Sequence, residues 1–161
     1  MTIEIPLSRN LVALIDNEDL PLVEGYKWCA APVRNTFYAR HSLPWQGNKR
    51  PWLEMHRVIL NAQPGQVVDH RNRNGLDNTR ANLRVCTALQ NNYNRFQQAR
   101  NKTGYKGVSW NGQVGKFYAQ IKVAGRSYDL GLYADPIEAA RVYDAAARQH
   151  FGEFAYLNFP S

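Results

Sequence analysis

Asp69 and His70 stand next to each other at the end of the short apolar segment "QVVDH". A carboxylate is a hard oxygen ligand that suits Mg²⁺ or a similar divalent ion, and an imidazole can take a proton from water. Asn91 offers a second, uncharged oxygen ligand further along the chain. A divalent ion held by two such oxygens keeps several waters and engages phosphate. These residue types therefore indicate hydrolysis of a phosphodiester bond.

The elements that must position these side chains follow from the flanking sequence. "QVVDH" and "NLRVC" are predicted to be the two strands of a hairpin, and the Asn-Gly pair in the long polar loop between them favours a turn. Thr87 begins a capping box in "TALQ", so we expect a helix that continues to about Ala99. If this helix packs across the hairpin, its first turn places Asn91 opposite Asp69.

A simpler interpretation exists for each of these residues. An adjacent Asp and His occur together by chance, and Asp69 could cap the loop while His70 lies on the surface. The combination with Asn82 and Asn91 favours the catalytic interpretation over this one. The other asparagines of the region are expected to serve turns and the helix surface; they are Asn78, Asn92 and Asn94.

The net charge of +7 is concentrated in the middle of the chain. Residues 1–48 carry four Lys/Arg against five Asp/Glu, residues 49–102 carry ten against three, and residues 103–161 carry six against five. In the middle segment Arg outnumbers Lys eight to two. The planar guanidinium group binds phosphate through two parallel hydrogen bonds, which the ammonium group of Lys does not do. Nucleic acid is therefore favoured as the partner over a merely solubilising role for these arginines.

Several classes of protein are disfavoured by composition. No apolar run approaches the length of a membrane span, and "MTIEIPLSRN" lacks a charged head followed by a hydrophobic stretch, so we expect a soluble intracellular protein. Cys29 and Cys86 are isolated in apolar contexts, so we expect two buried thiols rather than a disulfide or a cysteine zinc site.

The segments "MHRVIL", "VVDH", "NGLDNTRANLRVCT" and "QNNYN" resemble, in residues and spacing, the HNH or ββα-metal endonuclease family, over about residues 55–95. The resemblance is greatest to the branch of phage homing endonucleases. It implies that His70 is the general base and Asp69 one metal ligand. It also implies that Asn91 is the second ligand, where many relatives have a histidine, so Mg²⁺ or Mn²⁺ is expected rather than zinc.

Two further expectations concern the surroundings of this motif. The resemblance implies that Asn82, the middle asparagine, bonds across the loop and holds His70 in place without touching the metal. Phosphate contacts are expected from the arginines beside the site, which are Arg57, Arg71 and Arg73. His56 is either a hydrogen-bonded packing residue or a supporting group that reaches phosphate, and the two interpretations are equally favoured.

A second module begins after the polar stretch "QQARNKT". Three strands with tight turns are predicted for "GYKGVSWNGQVGKFYAQIKVAGRSYDLGLY". A helix capped by Asp135 that ends before Gly152 is predicted for "DPIEAARVYDAAARQHFG". Alternation in "KFYAQIK" predicts one face that packs on the helix. The other face would present polar and aromatic side chains, namely Lys116, Tyr118, Gln120 and Lys122.

Residues 104–160 resemble the apetala-two/ethylene-response-factor DNA-binding domain through "GYKGV", "GKFYAQIK", "LGLY", "EAARVYDAAA" and "LNFP". In that family the sheet lies in the major groove. The resemblance implies DNA contacts from Lys106, Lys116, Gln120 and Lys122, with Trp110 and Tyr118 as nearby candidates. Ser127 and Asp129 replace the Arg and Trp of the plant pattern, so the recognised sequence does not carry over, and Arg126 is expected to compensate in part.

Together these patterns predict an α+β chain with three parts. A small α+β unit (residues 1–54) precedes an HNH ββα-metal core (55–100), and a three-stranded antiparallel sheet packed on one helix follows (104–161). The expected function is metal-dependent nicking of double-stranded DNA by a monomer in the cytoplasm of a bacterial host, with no membrane or small-molecule partner. The alternatives are a DNA-binding regulator with an inactive HNH scaffold, and a repair nuclease that shares the chemistry.

Overall fold

The computed structural model describes residues 1–33, 35–95 and 101–160. In these residues the chain forms ten β-strands and four α-helices, and it divides into two compact units, Met1–Ala88 and Leu89–Ser161. The mixture of small antiparallel sheets and helices confirms the predicted α+β class. The finer three-part division of the chain stays a prediction.

The first unit contains three small antiparallel sheets. Strand β1 (Thr2–Pro6) pairs with β2 (Val12–Asp16), and β3 (Cys29–Val33), β4 (Thr36–Ser42) and β5 (Trp52–Glu54) form a sheet in that order. Strands β6 (Val67–His70) and β7 (Leu83–Cys86) form the predicted hairpin. Two short helices connect these sheets, α1 (Leu20–Val23) and α2 (Met55–Ile59).

One apolar core joins these sheets. Met55 and Ile59 on one face of α2 are buried in the same cluster as Val68 of β6 and Leu83 of β7. The hairpin therefore rests on α2, and the buried side of α2 is set by the i, i+4 spacing of its apolar residues. This packing fixes the strand end that carries Asp69 and His70.

The second unit consists of one sheet and two helices. Helix α3 (Ala88–Tyr93) is followed by β8 (Val108–Asn111), β9 (Lys116–Val123) and β10 (Arg126–Tyr133), with β9 in the centre of an antiparallel sheet, and by α4 (Pro136–Phe151). Asp135 accepts a hydrogen bond from the Ile137 amide at 3.0 Å, as predicted for the cap. The helix packs closely because Gly107 has no side chain: a Cβ there would lie 1.9 Å from the Tyr143 ring.

Helix α3 is shorter than the sequence predicted. It ends at Tyr93, whereas the capping pattern suggested a helix to about Ala99, a position outside the described residues. Asparagine is a poor residue for helix interiors, and three of the last four positions up to Asn94 are asparagine. The Tyr93 carbonyl, which a longer helix would use for its own amides, instead accepts from Lys106 Nζ at 2.6 Å.

Both cysteines are free thiols. Cys86 is buried as predicted, whereas Cys29 is only partly buried and its Sγ donates to the Arg40 carbonyl at 3.1 Å. In the described residues, no helix combines the length and apolar character needed to span a membrane.

Candidate active site

The last two residues of β6 bring a carboxylate and an imidazole into the interior of the first unit. Asp69 is 6% exposed and His70 is 3% exposed. In the hairpin register Asp69 faces Arg84 and His70 faces Leu83 on β7. Burial of a carboxylate is costly unless it is paired, so the partner of Asp69 is decisive for the site.

Arg84 is that partner. Its Nη2 and Nε lie 2.6 and 2.9 Å from Asp69 Oδ2, and the Arg84 side chain is 7% exposed. The guanidinium therefore holds the Asp69 carboxylate in a fixed orientation. The sequence analysis did not single out Arg84. The available signal was its place in "NLRVC", where an antiparallel hairpin puts it directly across from Asp69.

His70 is held by an asparagine that was assigned to a turn. Asn78 is fully buried, and its Oδ1 lies 3.3 Å from His70 Nε2. In the tautomer that donates from Nε2 to this amide oxygen, the lone pair of the neutral ring lies on Nδ1. Burial, with a contribution from the charge on His56, lowers the pKa of His70 to about 4. The imidazole is therefore uncharged at neutral pH, as a proton acceptor must be.

The loop from residue 71 to residue 82 is bonded internally by its own asparagines. Asn82 spans it: Oδ1 accepts from the Asn72 amide at 2.9 Å, and Nδ2 donates to the Asp77 carbonyl at 2.7 Å. The Asn82 carbonyl also accepts from the Arg71 amide at 2.9 Å, next to His70. Asn72 Nδ2 donates to Asp77 Oδ2 at 2.7 Å. The asparagine side chains of the segment thus hold the polar loop together through hydrogen bonds within it.

The three arginines expected to contact phosphate have different surroundings. Arg57 donates to the carbonyls of Ala62, Gln63 and Gln66 at distances of 2.7 to 3.2 Å, so its guanidinium braces the turn after α2. Arg71 and Arg73 are exposed and lie one and three residues after His70. Their contact with phosphate stays a prediction.

His56 is a packing residue by its geometry. It is 4% exposed, and its Nε2 lies 3.3 Å from Glu54 Oε2. A hydrogen bond from His56, with the Arg40 guanidinium adding to it, lowers the pKa of Glu54 to about 2. Of the two interpretations left open by the sequence, burial supports the first.

The donor atoms near the site decide which divalent metal it could hold. Across the described ranges, no three His, Cys, Asp or Glu side chains cluster as a metal cage. A protein cage of the zinc type is therefore not formed by these residues, whereas a carboxylate such as that of Asp69 suits an ion that keeps waters and engages phosphate. Asn91 lies half-buried on α3 in the second unit, and its sharing of an ion with Asp69 stays a prediction.

The sheet of the second unit separates its candidate DNA contacts onto two faces. Cross-strand partners point to the same side of an antiparallel sheet. Trp110 pairs with Phe117, 4.9 Å away between ring centroids, and Arg126 pairs with Val123, so both lie toward the face that packs on α4. The opposite face carries the four side chains expected from alternation, of which all but Tyr118 are exposed; they are Lys116, Tyr118, Gln120 and Lys122.

Lys106 has partners inside the second unit. Its Nζ donates to the carbonyls of Tyr93 and Arg95 at 2.6 and 2.7 Å and lies 4.9 Å from the centroid of the Tyr156 ring. The ammonium therefore holds the end of α3 against the beginning of the sheet. This geometry ties Lys106 to structure, unlike the outward lysines of β9.

Comparisons with known proteins find HNH endonucleases. Residues 55–93 match the family model described as HNH endonuclease. The chain is similar to a protein of Acanthamoeba polyphaga mimivirus named "Uncharacterized HNH endonuclease L560", with 28% identity over 156 residues that cover 93% of this chain and 76% of the relative. None of the solved structures is a significant match. The matched segment spans the positions of Asp69, His70, Asn82 and Asn91, whose individual roles stay predictions.

Proposed function

We propose that this protein is an HNH-type endonuclease that hydrolyses phosphodiester bonds in DNA with the help of Mg²⁺ or Mn²⁺. The observation that carries the proposal is the state of His70 within the segment that matches the HNH family. Its imidazole is buried beside Asp69, its Nε2 is bonded to Asn78, and its pKa of about 4 leaves it uncharged. A positioned neutral imidazole can accept a proton from water, and a pKa of about 4 keeps His70 unprotonated while making it a weaker base than a free imidazole.

In the proposed reaction His70 Nδ1 takes the proton of the attacking water. Asn78 holds the opposite ring nitrogen, and Arg84 orients the Asp69 carboxylate. A divalent ion held by Asp69 would supply charge stabilisation for the phosphate and the leaving 3′ oxygen. Asn91 as a second ligand stays the prediction made from the family resemblance. Asn82 keeps the loop closed, so that His70 does not have to be ordered during the reaction.

Binding of the duplex is assigned to the outward face of the sheet in the second unit. Lys116 and Lys122 lie exposed on β9 on either side of Tyr118, and the segment resembles a DNA-binding domain that docks its sheet in the major groove. Asp129 pairs with Gln120 on the same face, which places a negative charge among the contacts. Phosphate contacts by lysine position a protein without reading bases, so modest sequence preference is expected. One catalytic histidine in each chain favours nicking.

A DNA-binding regulator without nuclease activity is the second candidate. The observation that favours it is the pair formed by Arg84 and Asp69, because a carboxylate oxygen already engaged by a guanidinium is a weaker metal ligand. Both candidates bind DNA, and only cleavage separates them.

Cleavage of supercoiled plasmid in Mg²⁺, Mn²⁺ and EDTA tests the proposal. We expect the wild type to convert supercoiled to nicked plasmid in either metal and to be inactive in EDTA. His70→Ala should reduce the rate by about 100-fold or more. His150→Ala is the matched control, because His150 is exposed on α4, and it should cut like the wild type.

Two results would contradict the nuclease assignment. If His70→Ala nicks as fast as the wild type, His70 is not the base. If neither protein cuts any plasmid in either metal while both shift duplex DNA in a gel, the regulator is the better description.

A further inference from the structure

The N-terminal strands of the first unit contribute a ring that lies beside the His70 imidazole and nearly parallel to it. Tyr38 of β4 is nearly parallel to His70, with an interplanar angle of 19° and 5.5 Å between ring centroids. His56 meets His70 edge-on at 5.1 Å and meets Tyr38 edge-on at 5.2 Å. The three rings form one contact group, which we call the histidine clamp.

The fold gives Tyr38 little freedom within this group. Its neighbour Arg40 places a guanidinium 5.9 Å from the centroid of the Tyr38 ring, and Arg40 in turn bonds Glu54 Oε1 at 2.6 and 2.9 Å. Glu54 holds His56 through Oε2. Each ring of the clamp is therefore fixed either by a strand of the sheet or by a charged neighbour.

The loop that follows His70 is shaped to admit Tyr38. A Cβ at Gly75 would lie 2.0 Å from Tyr38 Cδ1 and 2.5 Å from the Phe37 carbonyl, so no larger residue fits without a shift. The Gly75 amide donates to Thr36 Oγ1 at 3.0 Å. Contact with β4 is therefore built into the catalytic loop, which explains the glycine of the Asn-Gly pair by close approach.

Strand β2 holds the same loop from another side. The Asn78 amide donates to the Leu14 carbonyl at 2.7 Å, and the Leu14 amide donates to the Leu76 carbonyl at 2.8 Å. Asn78 is the residue whose Oδ1 meets His70 Nε2. The N-terminal strands thus fix the hydrogen-bond partner of the imidazole as well as the ring stacked on it.

We propose that Tyr38 is a positioning residue for the endonuclease reaction, and that its ring sets the plane of the His70 imidazole. The inference rests on the proposed function. A hydrogen bond to Nε2 fixes the position of one ring nitrogen, while a flat neighbour resists rotation of the ring about its bond to Cβ. Together they aim Nδ1 in one direction, and such alignment is a large part of the catalytic effect of a general base. This also assigns a task to the N-terminal strands, which is to hold the catalytic loop and its histidine.

Substitutions at Tyr38 separate the ring from the hydroxyl group. Tyr38→Phe keeps the stacked ring and should cleave plasmid within about twofold of the wild-type rate, whereas Tyr38→Leu should lower the single-turnover rate about tenfold or more. Duplex affinity measured in EDTA should stay within about twofold for both variants, because Tyr38 acts on His70 rather than on DNA. Tyr26→Leu is the matched control, since Tyr26 is an exposed tyrosine of the same unit, and it should behave like the wild type.

A spectroscopic measurement tests the contact without using activity. In the wild-type protein the carbon-bound protons of the His70 ring should show nuclear Overhauser contacts to the Tyr38 ring. This measurement holds even if Tyr38→Leu fails to fold. Absence of these contacts in the folded wild type would overturn the inference.

The kinetic outcomes distinguish this inference from the proposed function. A folded Tyr38→Leu variant that cuts at the wild-type rate overturns the positioning role and leaves the nuclease assignment intact. Loss of activity in Tyr38→Phe equal to that in Tyr38→Leu also overturns it, because the hydroxyl rather than the ring would then matter. A wild-type protein that cuts no DNA removes the proposed function itself, while the ring contact measured by NMR is unaffected.

Discussion

The loop of residues 71–82 and the outward face of β9 are both rich in polar side chains, yet they are organised in opposite ways. In the loop, Asn72, Asp77 and Asn82 bond to one another and to the backbone within 2.9 Å. On β9, Lys116 and Lys122 are exposed on the sheet surface. The polar groups of the loop form hydrogen bonds within the loop, whereas those of β9 are exposed to solvent or to a ligand.

The contrast follows from what each region is proposed to do. Proton transfer depends on angles and distances that are set before substrate arrives, so the groups around His70 have to be ordered in advance. Attraction to a phosphate backbone acts over about 10 Å in 0.1 M salt and tolerates mobile side chains. Substitutions should therefore alter stability in the first region and salt-dependent affinity in the second.

The largest effect is expected at the buried ion pair. Arg84→Met leaves the Asp69 carboxylate buried without its guanidinium, which should lower the free energy of unfolding by about 3 to 5 kcal/mol. Urea unfolding followed by circular dichroism measures this change. Lys122→Met is the matched control on the exposed sheet face and should change stability by less than about 0.5 kcal/mol.

Equal stability of these two variants would contradict the contrast drawn between the buried site and the exposed face of β9. It would mean that Asp69 needs no compensation, and hence that its carboxylate is hydrated or protonated in the folded protein.

A smaller, pH-dependent effect is expected at Glu54. Its pKa is about 2 in the folded protein against an ordinary value of 4.5. A lowered carboxyl pKa stabilises the folded state above pH 4.5, and this contribution disappears as the pH falls from 4.5 toward 2. Glu54→Gln should therefore reduce stability by about 2 kcal/mol at neutral pH and by progressively less on acidification.

Urea unfolding of both proteins between neutral and acid pH checks this sign, with the exposed Glu4→Gln as control. A difference between wild type and Glu54→Gln that does not shrink toward acid pH would show that packing, rather than charge, explains the loss.

The smallest effects are expected for the lysines of the second unit. Lys116→Ala and Lys122→Ala should each weaken duplex binding a few-fold and reduce the slope of log affinity against log salt by about 0.9. Lys106→Ala should leave that slope unchanged, because its Nζ is bonded to the carbonyls of Tyr93 and Arg95. Filter binding at several salt concentrations measures all three. A reduced slope for Lys106→Ala would show that Lys106 contacts the DNA backbone.

Much of the fold was predictable because its signals are local. The cap at Asp135, the alternation along β9 and the hairpin of β6 and β7 are each confirmed by the structure. The end of α3 was missed because the capping pattern was given more weight than the asparagines near Tyr93, and because the Lys106 contact at the Tyr93 carbonyl lies thirteen residues away in the chain. A sequence window around the helix contains no trace of that contact.

The sequence by itself determined the candidate residues of the site: Asp69, His70, Asn82 and Asn91 were identifiable from residue types, spacing and family resemblance. Only the tertiary structure placed Arg84 against Asp69, Asn78 against His70 and Tyr38 beside the imidazole. These contacts join β4, β6, β7 and the loop across as many as 32 positions, from Tyr38 to His70. The reason is physical: residue type limits what a side chain can do chemically, but its orientation depends on neighbours that chain topology, rather than sequence order, brings beside it.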